Sequence, residues 1–155
     1  MINGKVESIY IARERGGPTV LVNQVHVVPG KGIEGDRYYR ESGTSEAPTE
    51  AGFEITLTEI EAIESMRDDE GIDITPEKTR RNIITRGVAL NDLVGCLFYI
   101  GKIQLRGVRL CEPCNKLASR TDSRILPAMV HRGGLRCEII TEGIIRLNDV
   151  VNTSE

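Results

Sequence analysis

The sequence predicts a mostly β protein of the α+β kind: a β-barrel with one clear helix and a few short helical turns. Three observations carry that expectation. Short runs rich in β-branched residues recur along the chain, each bounded by glycine, proline or a polar cluster. Only one stretch places apolar residues at helical spacing. Sixteen glycines and six prolines in 155 residues supply the turns that so many short strands need.

Taken in order, Lys5–Ala12 alternates loosely and reads as a strand. Thr19–Val28 is rich in β-branched residues, with His26 between two valines as a strand histidine. Gly30–Arg37 is a glycine-rich loop. It does not lead into a helix, so it is not a dinucleotide fingerprint. It reads as a plain turn or as a ligand-facing loop in which Asp36 and Arg37 pair. Residues 41–52 lack apolar periodicity and predict a mobile surface loop. Phe53–Leu57 reads as a short strand.

The helix is expected over about 58–70. Thr58 and Glu61 have capping-box spacing, Ile60, Ile63 and Met66 share one face, and Gly71 is a natural stop. Thr75-Pro76 opens a short turn, and Asn91–Val94 is a second. Strands are expected at Asn82–Thr85, Cys96–Ile100, Ile103–Leu110, Arg136–Thr141 and Ile144–Val151.

The length suits a single domain spanning 1–155 with its own core. With 39% apolar and 28% charged residues, a disordered chain is excluded. No apolar run approaches the roughly 20 residues that span a bilayer, so no membrane partner is expected. The start, Met1-Ile-Asn-Gly-Lys-Val-Glu, lacks a secretory pattern, and a cytoplasmic address is expected. In that compartment four cysteines are thiols or ligands rather than a disulfide framework.

The net charge of −3 hides an uneven distribution. Residues 1–78 carry 8 Lys+Arg against 16 Asp+Glu, residues 79–136 carry 11 against 3, and residues 137–155 carry 1 against 4. A basic middle block suits an anionic ligand. Nucleic acid is disfavoured, because the only aromatics in that block, Phe98 and Tyr99, sit in an apolar strand-like run instead of forming stacking platforms.

Within the basic block lies Arg109-Leu-Cys111-Glu-Pro-Cys114-Asn-Lys116. A thiol near cationic side chains is held more easily as thiolate, the form that attacks electrophiles and ligates soft metals. Half a zinc site, a redox pair and inert core cysteines are the competing readings. A second cysteine pair and a long following helix are both missing, so one functional thiolate is favoured. Cys114 is the better candidate, since Cys111 ends an apolar strand. Cys96 and Cys137 read as buried residues. Two further polar clusters, Thr79-Arg80-Arg81-Asn82 and His131-Arg132-Gly133-Gly134-Leu135-Arg136, offer guanidinium forks and glycine amides to phosphate oxygens, or are simply solvated.

Together these pieces resemble the MOSC domain, the family named after the C-terminal domain of molybdenum cofactor sulfurases. The matching segments are Gly32-Ile33-Glu34-Gly35-Asp36-Arg37, Arg81-Asn82-Ile83-Ile84-Thr85-Arg86-Gly87, Leu93-Val94-Gly95 with Phe98-Tyr99-Ile100-Gly101, Cys111-Glu112-Pro113-Cys114, and His131 to Arg136. The resemblance implies a barrel that binds the molybdenum cofactor or carries sulfur. It maps the family's characteristic cysteine onto Cys114, which in the family's reductases ligates molybdenum. It leaves no room in 155 residues for the separate pyridoxal-phosphate domain of the sulfurases, so pyridoxal phosphate is not expected within this chain.

Three functions follow as expectations. The first is a molybdenum-dependent oxidoreductase acting on N-hydroxylated small molecules. Cys114 would ligate the metal, and Arg80, Arg81, Arg132 and Arg136 would hold the anionic cofactor. Asn82, Thr85, Lys116, His131, Asp36 and Arg37 would stand around it. No iron–sulfur or flavin motif is visible, so an electron-donating reductase would be the partner. The second is a sulfur carrier using a Cys114 persulfide, charged by a cysteine desulfurase. The third is a non-catalytic cofactor-binding module.

Overall fold

The structure is a computed structural model and describes residues 3–14, 16–39, 54–111 and 134–153. Its strands are β1 (Asn3–Ala12), β2 (Thr19–Val22), β3 (Gln24–Val28), β4 (Gly32–Ile33), β5 (Ile55–Glu59), β6 (Ile83–Arg86), β7 (Leu97–Ile100), β8 (Ile103–Leu110), β9 (Leu135–Ile139), β10 (Gly143–Arg146) and β11 (Val150–Asn152). One α-helix, α1 (Ile60–Glu70), and two 3₁₀ turns, Pro76–Thr79 and Leu90–Leu93, complete the described elements.

Seven strands close a barrel in the order β1-β11-β7-β8-β9-β5-β6, with β6 returning to β1. The mostly β barrel expected from the sequence is what forms. Strand alternation fills its interior: along β9, Leu135, Cys137 and Ile139 are buried while Arg136 and Glu138 between them are half-buried. Every wall pairing is antiparallel except β5 with β6, which α1 connects as a crossover. The consequence is two-sided burial at β6. Ile83 belongs to the barrel core, whereas Ile84 packs outward with Tyr10, Ile60, Ile63, Met66, Ile72 and Ile74 beneath the helix. Burial of such side chains contributes about 1.5–3 kcal/mol each.

A three-stranded sheet, β10-β3-β4, sends Val25, Val27, Ile33 and Ile145 into the same core as the barrel interior. It caps the barrel where β8 begins and β9 ends. The Glu54 carboxylate accepts from Gly30 N–H at 3.0 Å and from Ile139 N–H at 3.1 Å, joining the cap to the wall. Burial holds the Glu54 carboxyl above the usual carboxylate range.

Several expectations are corrected. Thr19–Val28 and Ile144–Val151 each split in two, at Asn23 and at residues 147–149, because each run passes between the eight-stranded sheet that forms the barrel and the three-stranded cap. Asn148 takes φ 67 in the second break, a left-handed turn that asparagine tolerates. The helix starts later than Thr58, which is a fully buried residue of β5. Glu59 is the N-cap and makes no side-chain cap bond, so the capping box does not form. Glu61 instead accepts from Gly87 N–H at 2.8 Å. Gly71 ends the helix as expected, at φ 68, with Ile72 N–H reaching Met66 O at 3.0 Å. The turn placed at Asn91–Val94 falls at Leu90–Leu93. Cys96 is exposed and not buried, its sulfur 3.6 Å from Asp92 O, because it lies in the turn before β7 and not in the strand. The loop expected at 41–52 lies outside the described residues.

Candidate functional site

At the end of β8 the Cys111 N–H donates to Gly134 O at 2.7 Å. That bond brackets residues 112–133, which lie outside the described residues together with Cys114, Lys116, His131 and Arg132. The frame around it is tightly specified. Gly134 takes φ 109, and a Cβ there would collide with the Leu57 carbonyl. A Cβ on Gly107 would strike the Leu93 carbonyl, and the β8–β9 register shifts between Gly107 and Arg109. Past that bulge Arg109 stands opposite Arg136, and Arg136 stands opposite Thr56. Leu135 and Cys137 point into the core, so Arg136 lies on the outer face of the wall. Two guanidinium residues in direct register thus sit beside the bracketed segment.

Cys111 and Cys137 are both fully buried. Burial pushes the Cys137 thiol well above its ordinary range, and the nearby Cys111 adds to this. Among the described residues no group of three His, Cys, Asp or Glu side chains is placed to hold a metal ion.

The remaining expected site residues meet at the ends of β1 and β6. Asp36 and Arg37 pair at 3.4 Å, with side chains only 2% and 8% exposed. Asp36 Oδ1 also accepts from Ala12 N–H at 2.9 Å, and Oδ2 from Tyr38 N–H at 3.3 Å. The Arg37 guanidinium lies 4.5 Å from the Tyr38 ring centre and donates to Arg80 O at 3.2 Å. Arg80, at φ 61, donates to Gly17 O at 2.9 Å. Arg81 N–H reaches Thr79 Oγ1 at 3.3 Å.

Asn82 bridges two strands. Its Oδ1 accepts from Thr56 N–H at 3.1 Å, and its Nδ2 donates to Tyr10 O at 3.1 Å. Thr85 is fully buried, with its hydroxyl 3.5 Å from Thr58 O. The structure therefore brings Asp36, Arg37, Arg80 and Asn82 into one knot. Arg136 lies next to it through Thr56, and Thr85 lies further along β6.

Three features had no local signal in the sequence. His26 is flanked by Glu34 and Glu142, residues 8 and 116 positions away. Glu59, half-buried and held above the usual carboxylate range by burial, accepts from Leu90 N–H at 3.1 Å. Arg86 spans Glu7 at 3.2 Å and Glu64 at 3.0 Å, which raises its already high pKa further. Only long-range pairing brings these groups together.

Residues 45–152 match the MOSC domain family. The chain belongs to the MOSC domain family. No curated protein matches it. Solved structures share the MOSC fold. The YuaD protein from Bacillus subtilis superposes with a TM-score of 0.77 at 20% identity, over 99% of this chain and 98% of that one. YiiM from Geobacillus stearothermophilus gives 0.72 at 16% identity, over 98% and 75%. YiiM from Escherichia coli gives 0.64 at 19% identity, over 100% and 70%. The MOSC family is associated with the molybdenum cofactor. Among the described residues no helix of this MOSC chain is long and apolar enough to cross a membrane.

Proposed function

We propose that this MOSC domain binds the molybdenum cofactor through Cys114 and acts as an oxidoreductase on N-hydroxylated small molecules. The observation that supports this reading is the distribution of thiols. Cys111 and Cys137 are shut in the core, and Cys96 engages the Asp92 carbonyl. Cys114 belongs to the stretch between Cys111 and Gly134, whose hydrogen bond ties the two strand ends next to the Arg109–Arg136 pair.

The donor chemistry fits the cofactor. A thiolate is a soft ligand suited to molybdenum, and guanidinium groups suit the phosphate of a pterin. Arg81, Arg109, Arg132 and Arg136 would hold that phosphate, with Lys116 and His131 beside it. The knot of Asp36, Arg37, Arg80 and Asn82, and Thr85 along β6, keep the supporting wall in place. When bound, the cofactor supplies a centre that changes oxidation state. An N-hydroxylated substrate would take up two electrons and two protons and lose its oxygen as water. The electrons come from a separate reductase, and the reaction fits a cytoplasmic setting.

The test is metal and mass analysis of protein made in a host that synthesises the cofactor. Molybdenum near one per chain, lost in Cys114→Ser, supports the proposal. A sulfur-sized adduct removed by reductant and absent from Cys114→Ser supports a sulfur carrier charged by a cysteine desulfurase. Pterin that survives Cys114→Ser and is lost when Arg81 and Arg132 are replaced marks a non-catalytic module. Absence of molybdenum with Cys114 intact overturns the oxidoreductase reading.

A further inference from the structure

At the capped end of the barrel, His26 on β3 has a carboxylate on each ring nitrogen. Nδ1 is 2.9 Å from Glu34 Oε2, and Nε2 is 3.0 Å from Glu142 Oε2. A neutral imidazole has one donor and one acceptor, so it can satisfy only one of these contacts. The second would set a ring lone pair against carboxylate oxygen. The imidazolium donates to both, and charge-assisted bonds of this kind are the stronger ones. The observed geometry is therefore that of the protonated ring.

The three groups come from three different parts of the chain. His26 lies in the middle strand of the cap, Glu34 follows β4, and Glu142 stands in the connection from β9 to β10. Glu142 also lines an open cleft of about 530 Å³ with Lys102, Ile103, Arg146 and Asp149. Asp149 is already engaged there, accepting from Arg146 N–H at 2.8 Å. The charged groups acting on the ring are the two carboxylates, from the β4 side and the β10 side. On β10 itself the residue opposite His26 is the uncharged Ile144, and Arg146 stands opposite Gln24.

We propose that His26 is a proton-operated latch, which fastens the β9–β10 connection to the cap when protonated and frees Glu142 into the cleft when it is not. Its pKa is raised, with the Glu34 hydrogen bond as the largest cause and the Glu142 bond adding to it. The sign follows from the raised value. The latch contributes in full below the free-histidine pKa of about 6.5 and is lost as pH climbs through the folded value above it. Above that range the cleft gains a carboxylate no longer held by the ring, so its charge becomes pH-dependent.

The test reads the ring and the strand separately. NMR titration of His26 should place its pKa above 6.5 in the wild type, and lower in both Glu34→Gln and Glu142→Gln. Hydrogen exchange at the β10 amides, corrected for the intrinsic rate, should accelerate several-fold as pH rises through that value, and the acceleration should vanish in Glu142→Gln. Both glutamates are exposed, so these variants leave the core intact. A wild-type pKa at or below 6.5, a value unmoved in either variant, or exchange that does not change with pH overturns the proposal.

Discussion

The knot around Asp36 and the mouth around Cys111 are both built from residues that look like ligand contacts in the sequence, yet they are built in opposite ways. In the knot, the polar side chains bond to the protein itself: Asp36 to two amides and a guanidinium, Asn82 to two strands, Arg80 to a loop carbonyl. At the mouth, backbone and packing set the described rim, with Arg109 and Arg136 in register on its outer face. The difference teaches that an arginine-rich motif can be a fastener as readily as a binding site. In the knot, nearby backbone claims the side chains.

That contrast gives graded expectations. The largest effect should come from Asp36→Ala, which strands a nearly buried guanidinium and two amides. Urea unfolding should show a loss of about 3–5 kcal/mol. Asn82→Ala comes next, at about 2–4 kcal/mol, since it leaves buried groups of β1 and β5 unsatisfied. Neither variant should change the molybdenum bound per folded molecule, and a selective loss of metal would break the contrast. Glu59→Gln should change stability by under about 1 kcal/mol at pH 7, in the stabilising direction. The amide oxygen still accepts from Leu90, and the burial cost of the charge disappears. Because the Glu59 pKa is raised, that gain should shrink as pH falls toward the folded value, where the native residue is already protonated. Cys114→Ser should move stability least, within about 0.5 kcal/mol, while removing the metal or sulfur chemistry; a large destabilisation would place it with the fasteners.

Much of the frame was legible. Short β-branched runs bounded by glycine or polar clusters mark the barrel strands, and Gly71 marks the helix end, because both are local signals. The splitting of Thr19–Val28 and Ile144–Val151 was not legible, since nothing in a β-rich run says which sheet it will join. Thr58 carried the right spacing for a cap, but burial in β5 outweighed it. At the site, the Arg81-Asn82 segment was found, whereas the bonds from Asn82 to Thr56 and Tyr10 span 26 and 72 residues and leave no local trace. His26 reads as a strand residue, and only the folded cap brings its two carboxylates to it.

The hydrogen bond from Cys111 to Gly134 ties the residue just after β8 to the residue just before β9, so the chain leaves the wall and rejoins it at one point. Amide exchange at Cys111 is therefore a single-bond reporter of whether those two ends stay together.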